Sequence, residues 1–407
     1  MTNSIRVRTE EGPVKRAAGY KAEQLYSITY EAIGGNGVMP IAGWWGPYTP
    51  KNPELPNFVD EKYFAMLKDC GINLITVSPD DVDSHWDSVQ KSLRICDSLN
   101  MGYFVYDRFL ANPENIADMQ QRISRYYGRK SCVGVHIFDE PLPDQYDNIG
   151  KVYDAYEKLN IADKHLYTNL YPVYGKTVFE KDFNIDYRGY VESYLQKVKT
   201  RFLSYDYYPF YFKGEGLKNA NQYYYNLSVT RELANKYHMP LWVFVQAGGQ
   251  WQCEGKPSIE LYPSREEMLW NVNTNLAFGA KSIQYFTLIQ PEVYMVTDTG
   301  LDFTRIGLIG GDGSKNIWYD YVKDINRHIA AIDDILMNSV NVGVIPVGKN
   351  AERDVTGDEL ITGGFRQLTN IVGEDLIVGC FDCEGCTALY VVNNTVAKKD
   401  TAQLTFD

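Results

Sequence analysis

The chain has 407 residues, with 40 Lys+Arg against 52 Asp+Glu for a net charge of −12, and an aromatic content of 14% that includes 32 Tyr, 17 Phe and 7 Trp. That length exceeds one small domain and fits either a large barrel with an appendage or two domains. The acidity, with no run of Lys or Arg to track phosphates, argues against nucleic acid as a partner, and no apolar stretch reaches the roughly 18 residues of a membrane span.

Residues 1–37 read as an N-terminal extension whose strands are candidates to pair with the C-terminal region. "MTNSIRVRTEEGPVKR" has no apolar core for a signal peptide. The chain therefore reads as cytoplasmic, or as an exported protein whose leader has been removed. Aromatic rings with polar tips suit sugars, whose rings have an apolar C–H face and a hydroxyl rim, although a large core consumes tyrosines equally well.

From about residue 38 a unit recurs. Apolar runs begin at Pro40, Asn73, Tyr103, Val133, Leu166, Phe202, Leu241 and Ser282, so successive starts lie 30 to 41 residues apart, the length of a strand, a helix and two loops. Helical signals fall between them. "DEKYFAMLKDCG" places Phe64, Leu67 and Cys70 on one face, with Asp60 as N-cap and Gly71 as the stop. "HWDSVQKSLRICDSLN" spaces Trp86, Val89, Leu93 and Cys96 as a helical stripe. "SREEMLWNVNTNLAFGA" opens with Ser264 and Glu267 as a capping box and ends on Gly279. Eight strands alternating with helices predict an α/β fold, a (β/α)8 TIM barrel over 38–335. A doubly wound sheet shows the same alternation, but the count of eight favours the barrel.

After about residue 336 the pattern changes to short strands, "NVGVIPV", "ITGGFRQL", "DLIVGCF", "TALYVVNN" and "AQLTFD". They predict a small all-β, sandwich-like region over 336–407 that is short for a complete sandwich. Within it Cys380, Cys383 and Cys386 have C-x-x-C-x-x-C spacing, yet with no fourth ligand nearby they read as a hairpin about a "DCEG" turn and not as a metal site. Seven cysteines do not form a disulfide framework in a chain this long.

In a barrel the active site lies at the C-terminal ends of the strands. Here those ends carry Trp44 and Trp45; Asp80 and Asp81; Asp107 and Arg108; Asp139 and Glu140; Asn169 and Tyr171; Asp206, Tyr207 and Tyr208; Gln246 with Trp251 beyond; and Tyr285 with Thr287 and Gln290. Carboxylates, amides and rings converging on one rim make a polyol pocket, which predicts a carbohydrate substrate. Glu140 is placed as a general acid and Asp139 as the neighbour whose charge raises its pKa. Each has a plainer alternative: Asp139 and Asp206 as helix caps, Asp80 and Asp81 as caps or solvated loop residues, the tryptophans as packing, His136 as a satisfied interior histidine, and Asp107 paired with Arg108. The five histidines form no H-x-H or H-E-x-x-H arrangement, so neither a metal nor a cofactor is expected.

The succession "GWW", "DEP", "YDYYPF" and "NLAFGAKSIQYFT" resembles the (β/α)8 glycoside hydrolases, especially bacterial members related to the β-galactosidase-like clan, over roughly residues 38–330. The resemblance implies an Asn-Glu pair closing the fourth strand, with Glu as acid/base, and a nucleophilic Glu closing the seventh. Glu140 matches the acid/base. Asp139 stands where Asn is implied, and Gln246 stands where the nucleophile is implied, although an amide cannot form a glycosyl ester. Glu254, beyond the seventh strand, is one candidate partner, and Asp206 is another as the base of an inverting reaction. The adjacent Asp139 and Glu140 also resemble the substrate-assisted N-acetylhexosaminidases, in which Tyr207 or Tyr285 would bond the acetamide. A barrel that binds glycans without cleaving them is the remaining reading. Trp44, Trp45, Asp107, Asn169, Tyr207, Gln246, Trp251, Glu254 and Tyr285 are expected to shape the sugar subsite.

Overall fold

The fold rests on a computed structural model that describes residues 27–210, 220–248, 263–297, 300–303, 306–383, 386–396 and 398–407. Each of the eight expected runs is a parallel strand: β1 (Ile41–Trp44), β2 (Leu74–Val77), β3 (Gly102–Tyr106), β4 (Cys132–Asp139), β5 (His165–Asn169), β6 (Leu203–Asp206), β7 (Leu241–Gln246) and β8 (Ala280–Phe286). They pair in the order β5-β4-β3-β2-β1-β8-β7-β6. The remaining seam, between β5 and β6, is bridged where Leu170 pairs with Tyr205 and its N–H donates to the Ser204 carbonyl at 2.9 Å. The α/β architecture is thus a (β/α)8 barrel.

The strands are apolar on both faces because helices cover the outside and side chains fill the inside. Between β1 and β8 run α1 (Glu61–Asp69), α2 (Trp86–Leu99), α3 (Met119–Ser124), α4 (Tyr146–Glu157), α5 (Lys176–Phe183), α6 (Tyr187–Lys197), α7 (Ala220–Lys236) and α8 (Arg265–Ala277). Local signals set their ends as expected. The Asp60 carboxylate accepts from the Lys62 N–H at 3.0 Å, and Ser264 and Glu267 form both bonds of the capping box. Gly279 ends the last of these helices at φ +92°, a conformation that favours glycine. Gly134 answers a different need: a Cβ there would stand 1.8 Å from the His165 carbonyl oxygen, so β4 approaches β5 only without one.

Residues 27–37 do not form a strand. They pass beneath the barrel, where Tyr30, Ala32 and Ile33 pack against Phe104, Tyr167, Phe202 and Trp242, and Tyr30 bonds the His165 ring nitrogen at 3.1 Å. Residues 1–26 lie outside the described residues.

After β8 come a two-stranded ribbon, β9 (Val296–Thr297) and β10 (Gly300–Leu301), then α9 (Trp318–Ala330) and α10 (Asp333–Met337). The C-terminal region comprises β11 (Ser339–Val347), α11 (Lys349–Asp354), β12 (Leu368–Val372), β13 (Leu376–Cys383), β14 (Cys386–Asn393) and β15 (Gln403–Phe406). β11, β13 and β14 form one antiparallel sheet and β12 with β15 another. Ile345, Leu368, Val378 and Cys380 make the apolar layer they share. "ITGGFRQL" becomes a strand only from Leu368, and α11 was not expected from the sequence. Cys383 and Cys386 face each other across the β13–β14 hairpin and are joined as a disulfide, while Cys380 is buried and free. Among the described residues no group of three His, Cys, Asp or Glu side chains is arranged to hold a metal. No helix among them is long and apolar enough to cross a membrane.

This small β region is welded to the barrel. Ile377, Phe381 and Val392 belong to the same core cluster as the barrel helices. Arg231 on α7 bonds Asn341 at 2.6 Å and pairs with Glu359 at 2.9 Å, and Tyr390 bonds Asn273 on α8 at 2.8 Å. The core also absorbs most of the aromatic excess: ten tyrosines are among the largest side chains that are almost wholly buried.

Candidate active site

Strand alternation decides which residues reach the mouth, because successive side chains point to opposite faces. On β6, Tyr205 and Tyr207 point outward and Asp206 points inward. Tyr207 is buried against Tyr174 and Tyr223, with its hydroxyl 3.5 Å from Gln222. Tyr285 on β8 likewise faces outward, its hydroxyl bonding Asn326 on α9 at 2.8 Å. Asp107, just after β3, is wholly buried under α3, where Arg122 grips it with two bonds of 2.8 Å and Tyr126 adds a third of 3.0 Å. Its partner is therefore Arg122 and not Arg108, which bonds Asp81. These three expected subsite residues stand apart from the acids. Trp251 and Glu254 lie outside the described residues.

The ends of β4, β5 and β6 bring the acids together. Asn169 lies between Asp139 and Asp206, its amide nitrogen donating to Asp206 at 3.0 Å and to Asp139 at 3.4 Å. Its amide oxygen accepts from Ser204 at 3.0 Å, which fixes which way the amide faces. Ser204 in turn accepts from the Gln284 amide at 3.1 Å, and Gln284 accepts from Tyr167 at 3.1 Å. The Tyr167 hydroxyl also lies 3.0 Å from the Ser204 hydroxyl, so a hydrogen-bonded network crosses the barrel interior from β8 to the acids.

Glu140 follows Asp139 at φ +49°, in the left-handed region that side chains other than Gly, Asn and Asp rarely occupy. Its N–H continues the ladder to the Asn169 carbonyl at 2.8 Å, and the nearby Tyr171 hydroxyl favours its ionised form. Backbone strain of this kind persists only where the surroundings over-determine it, and it concentrates at functional sites.

Crowding and enclosure push all three carboxyls upward. Glu140 is raised to about 9 by burial first, then by the charges of Asp206 and Asp139. Asp206 is raised to about 8 by burial and by Asp139, against the bond from Asn169. Asp139 is raised to about 7 because protein surrounds its recess, even though water reaches the residue. The three cannot all be charged near neutrality, so the cluster holds protons and charges together.

Half-buried rings complete the mouth. Trp44 stands edge-on to His136 at 5.1 Å and beside Phe244 at 6.1 Å, with Trp45 next to it. Tyr208, one residue beyond the outward Tyr207, packs on Phe286 at 5.4 Å, and its hydroxyl feels the charges of Asp206, Glu140 and Asp139. His136 is buried among Trp44, Tyr106 and Tyr167, and neither ring nitrogen finds a partner among the described residues; burial lowers its pKa to about 3, so the ring is neutral. It is an interior histidine of the barrel. Asp80 accepts from the Thr49 backbone and hydroxyl and Asp81 from the Asp83 and Arg108 backbones, so both fasten loops while buried.

Gln246, at the end of β7, has its amide bonded to main chain. Its amide nitrogen donates to the carbonyls of Phe210 at 2.9 Å and Gly248 at 3.0 Å, and its oxygen accepts from the Phe210 N–H at 3.1 Å. Tyr171 and Tyr208 stand near the acids, although neither is among the residues expected from the sequence to shape the subsite. The alternation about Asp206 carried the signal: if Asp206 points inward, Tyr207 cannot and Tyr208 does.

No protein-family profile and no curated protein matches the chain. Among solved structures, the chain is similar to a GH2 β-galacturonidase from Eisenbergiella tayi, with 15% identity, TM-score 0.47, and 71% of this chain and 51% of that one covered. It is similar to a β-glucuronidase from Ruminococcus gnavus at 14% identity and TM-score 0.47, covering 71% and 50%. A β-galactosidase from the psychrophilic Marinomonas ef1 aligns at 11% identity and TM-score 0.49, covering 75% and 63%. The chain spans about half the length of the first two, at 51% and 50%.

Proposed function

We propose that this chain is a (β/α)8 glycoside hydrolase that cleaves O-glycosidic bonds of an oligo- or polysaccharide with Glu140 as general acid. The observation that supports it is the acid cluster at the ends of β4 and β6, in which Asn169 bridges Asp139 and Asp206 beside a left-handed Glu140. A carboxyl held protonated near neutrality donates its proton to the glycosidic oxygen as the bond to the anomeric carbon breaks. Asp206, once it loses its own proton as pH approaches about 8, accepts a proton from the attacking water, which is the inverting arrangement with Asp206 as base and gives activity that rises with pH on its acid side. Trp44, Trp45 and Tyr208 supply the ring faces and hydroxyl that hold the sugar.

A second reading is favoured by Gln246, an amide held by three main-chain bonds where the end of β7 would carry a nucleophile, with no carboxylate in its place among the described residues. In it the substrate's own acetamide attacks the anomeric carbon, Asp139 orients that acetamide and Glu140 remains the acid. The competing class, a barrel that binds glycans without cleaving them, makes the same contacts and transfers no proton.

The test is a hydrolysis screen of wild type and Glu140→Gln on aryl hexosides and N-acetylhexosaminides, with NMR of the first-formed anomer. Cleavage that Glu140→Gln abolishes supports the acid. Inversion favours Asp206 as base, and retention confined to N-acetylated sugars favours the substrate-assisted route. Binding of the parent sugars with no cleavage from any of them overturns the enzymatic reading.

A further inference from the structure

Tyr190, on α6, is almost wholly buried, and both functions of its hydroxyl are spent on backbone. It donates to the Pro141 carbonyl at 2.9 Å and accepts from the Tyr171 N–H at 3.2 Å. Pro141 directly follows Glu140, and Tyr171 is the residue whose hydroxyl favours the ionised Glu140 carboxyl. We propose that Tyr190 is a positioning residue for Glu140: one hydroxyl ties the end of β4 to the end of β5 and so sets where the Glu140 carboxyl stands relative to the Tyr171 side chain. Its catalytic meaning rests on the reading of Glu140 as the general acid.

Three hydrogen bonds join the two strand ends. The Glu140 N–H reaches the Asn169 carbonyl at 2.8 Å, and the Tyr190 hydroxyl joins the Pro141 carbonyl to the Tyr171 N–H. The chain needs such a tie here. Glu140 is in a left-handed conformation, and Pro141 has no N–H with which to extend the ladder, so its carbonyl is the only main-chain handle. Tyr190 is itself well fixed: its ring stacks on Phe179 with centroids 4.5 Å apart, and its carbonyl accepts from the Tyr146 hydroxyl at 3.3 Å. With no donor left, it holds other groups in place and does not touch substrate.

Tyr190→Phe keeps the ring and removes only the tie. The direct measurement is a 13C NMR titration of the glutamate side-chain carboxyls in the full chain, with the Glu140 resonance identified by its absence in Glu140→Gln. The Tyr171 hydroxyl favours the ionised carboxyl, so losing it moves the Glu140 titration to higher pH. The expected result is an upward shift in Tyr190→Phe, one in the same direction in Tyr171→Phe, and no further shift when the two are combined. On any substrate that wild type cleaves, Tyr190→Phe lowers kcat about tenfold with KM within about twofold, and carries the alkaline limb of the pH profile upward. A Glu140 titration unchanged in Tyr190→Phe, whatever happens to thermal stability, overturns the proposal, as do additive shifts in the double variant. Should Tyr190→Phe fail to fold, an unshifted Glu140 in Tyr171→Phe overturns it equally. A shifted titration in a protein that cleaves nothing leaves the positioning role standing and removes the general acid, so the two failures are distinguishable.

Discussion

The two sides of the barrel mouth treat their polar side chains in opposite ways. At the end of β7, Gln246 has its amide fully occupied by main-chain partners, and neither its nitrogen nor its oxygen has reason to move. At the ends of β4 and β6, three carboxyls share one bridging amide and one tyrosine hydroxyl among them, and their charges repel. The first arrangement stabilises the fold. The second costs stability, which a protein retains where a ligand or a reaction makes use of it. Position at a strand's C-terminal end therefore does not by itself make a residue part of the site; what its polar atoms already bond decides that.

The comparison is broken most directly at Glu140. Glu140→Gln is expected to lower kcat/KM by roughly a hundred- to ten-thousand-fold while leaving the thermal midpoint at or above that of wild type. Unchanged hydrolysis would place the acid elsewhere. Asp107 is the opposite case, a strand-end carboxylate that is structural. Asp107→Ala leaves Arg122 without its buried partner and should cost about 3 kcal/mol in a denaturant titration. Gln246→Glu probes the other side of the mouth. A carboxylate there faces the Phe210 and Gly248 carbonyls with no hydrogen for at least one of them, so a loss of about 2 kcal/mol with no gain of hydrolysis is expected. A variant that gained activity would show that this end of the barrel can be recruited.

Smaller effects separate neighbours. Tyr208→Phe should lower kcat/KM by about tenfold, whereas Tyr207→Phe, whose hydroxyl faces Gln222 behind the sheet, should stay within about twofold. Equal losses in the two would contradict their opposite facing. The last test is one of stability against pH. Because the folded protein holds Asp206 protonated up to about 8, the stabilisation it contributes is fully present below the ordinary Asp value and is lost as pH rises through about 8. Asp206→Asn should therefore gain in midpoint relative to wild type between about pH 4 and 8 and run parallel to it above. Parallel curves throughout would mean that neither burial nor the neighbouring Asp139 raises Asp206 in the folded protein.

Much of this molecule was readable from local pattern. Each of the eight strands begins within two residues of its apolar run, because a doubly buried strand needs consecutive apolar residues and the helices between need their own period. Caps such as Asp60 and the Ser264–Glu267 box were legible since every bond in them spans a few residues. Glu140, Asp139 and Asp206 could be singled out because a barrel gathers its strand ends at one rim. The sequence could not say which of two adjacent tyrosines meets the acids, that Asp107 belongs to Arg122, or that Gln246 folds back on Phe210.

Those outcomes depend on contacts made only after the barrel closes. Asn169 meets Asp139 and Asp206 across 30 and 37 residues of chain, and Gln246 meets Phe210 across 36. By itself the sequence determined the order, length and covering of the strands, since these follow from short-range periodicity. Only the tertiary structure decided which polar atoms were satisfied by the protein and which were left crowded at the mouth, because hydrogen-bond partnership depends on distances of a few tenths of an ångström between segments that local pattern does not relate.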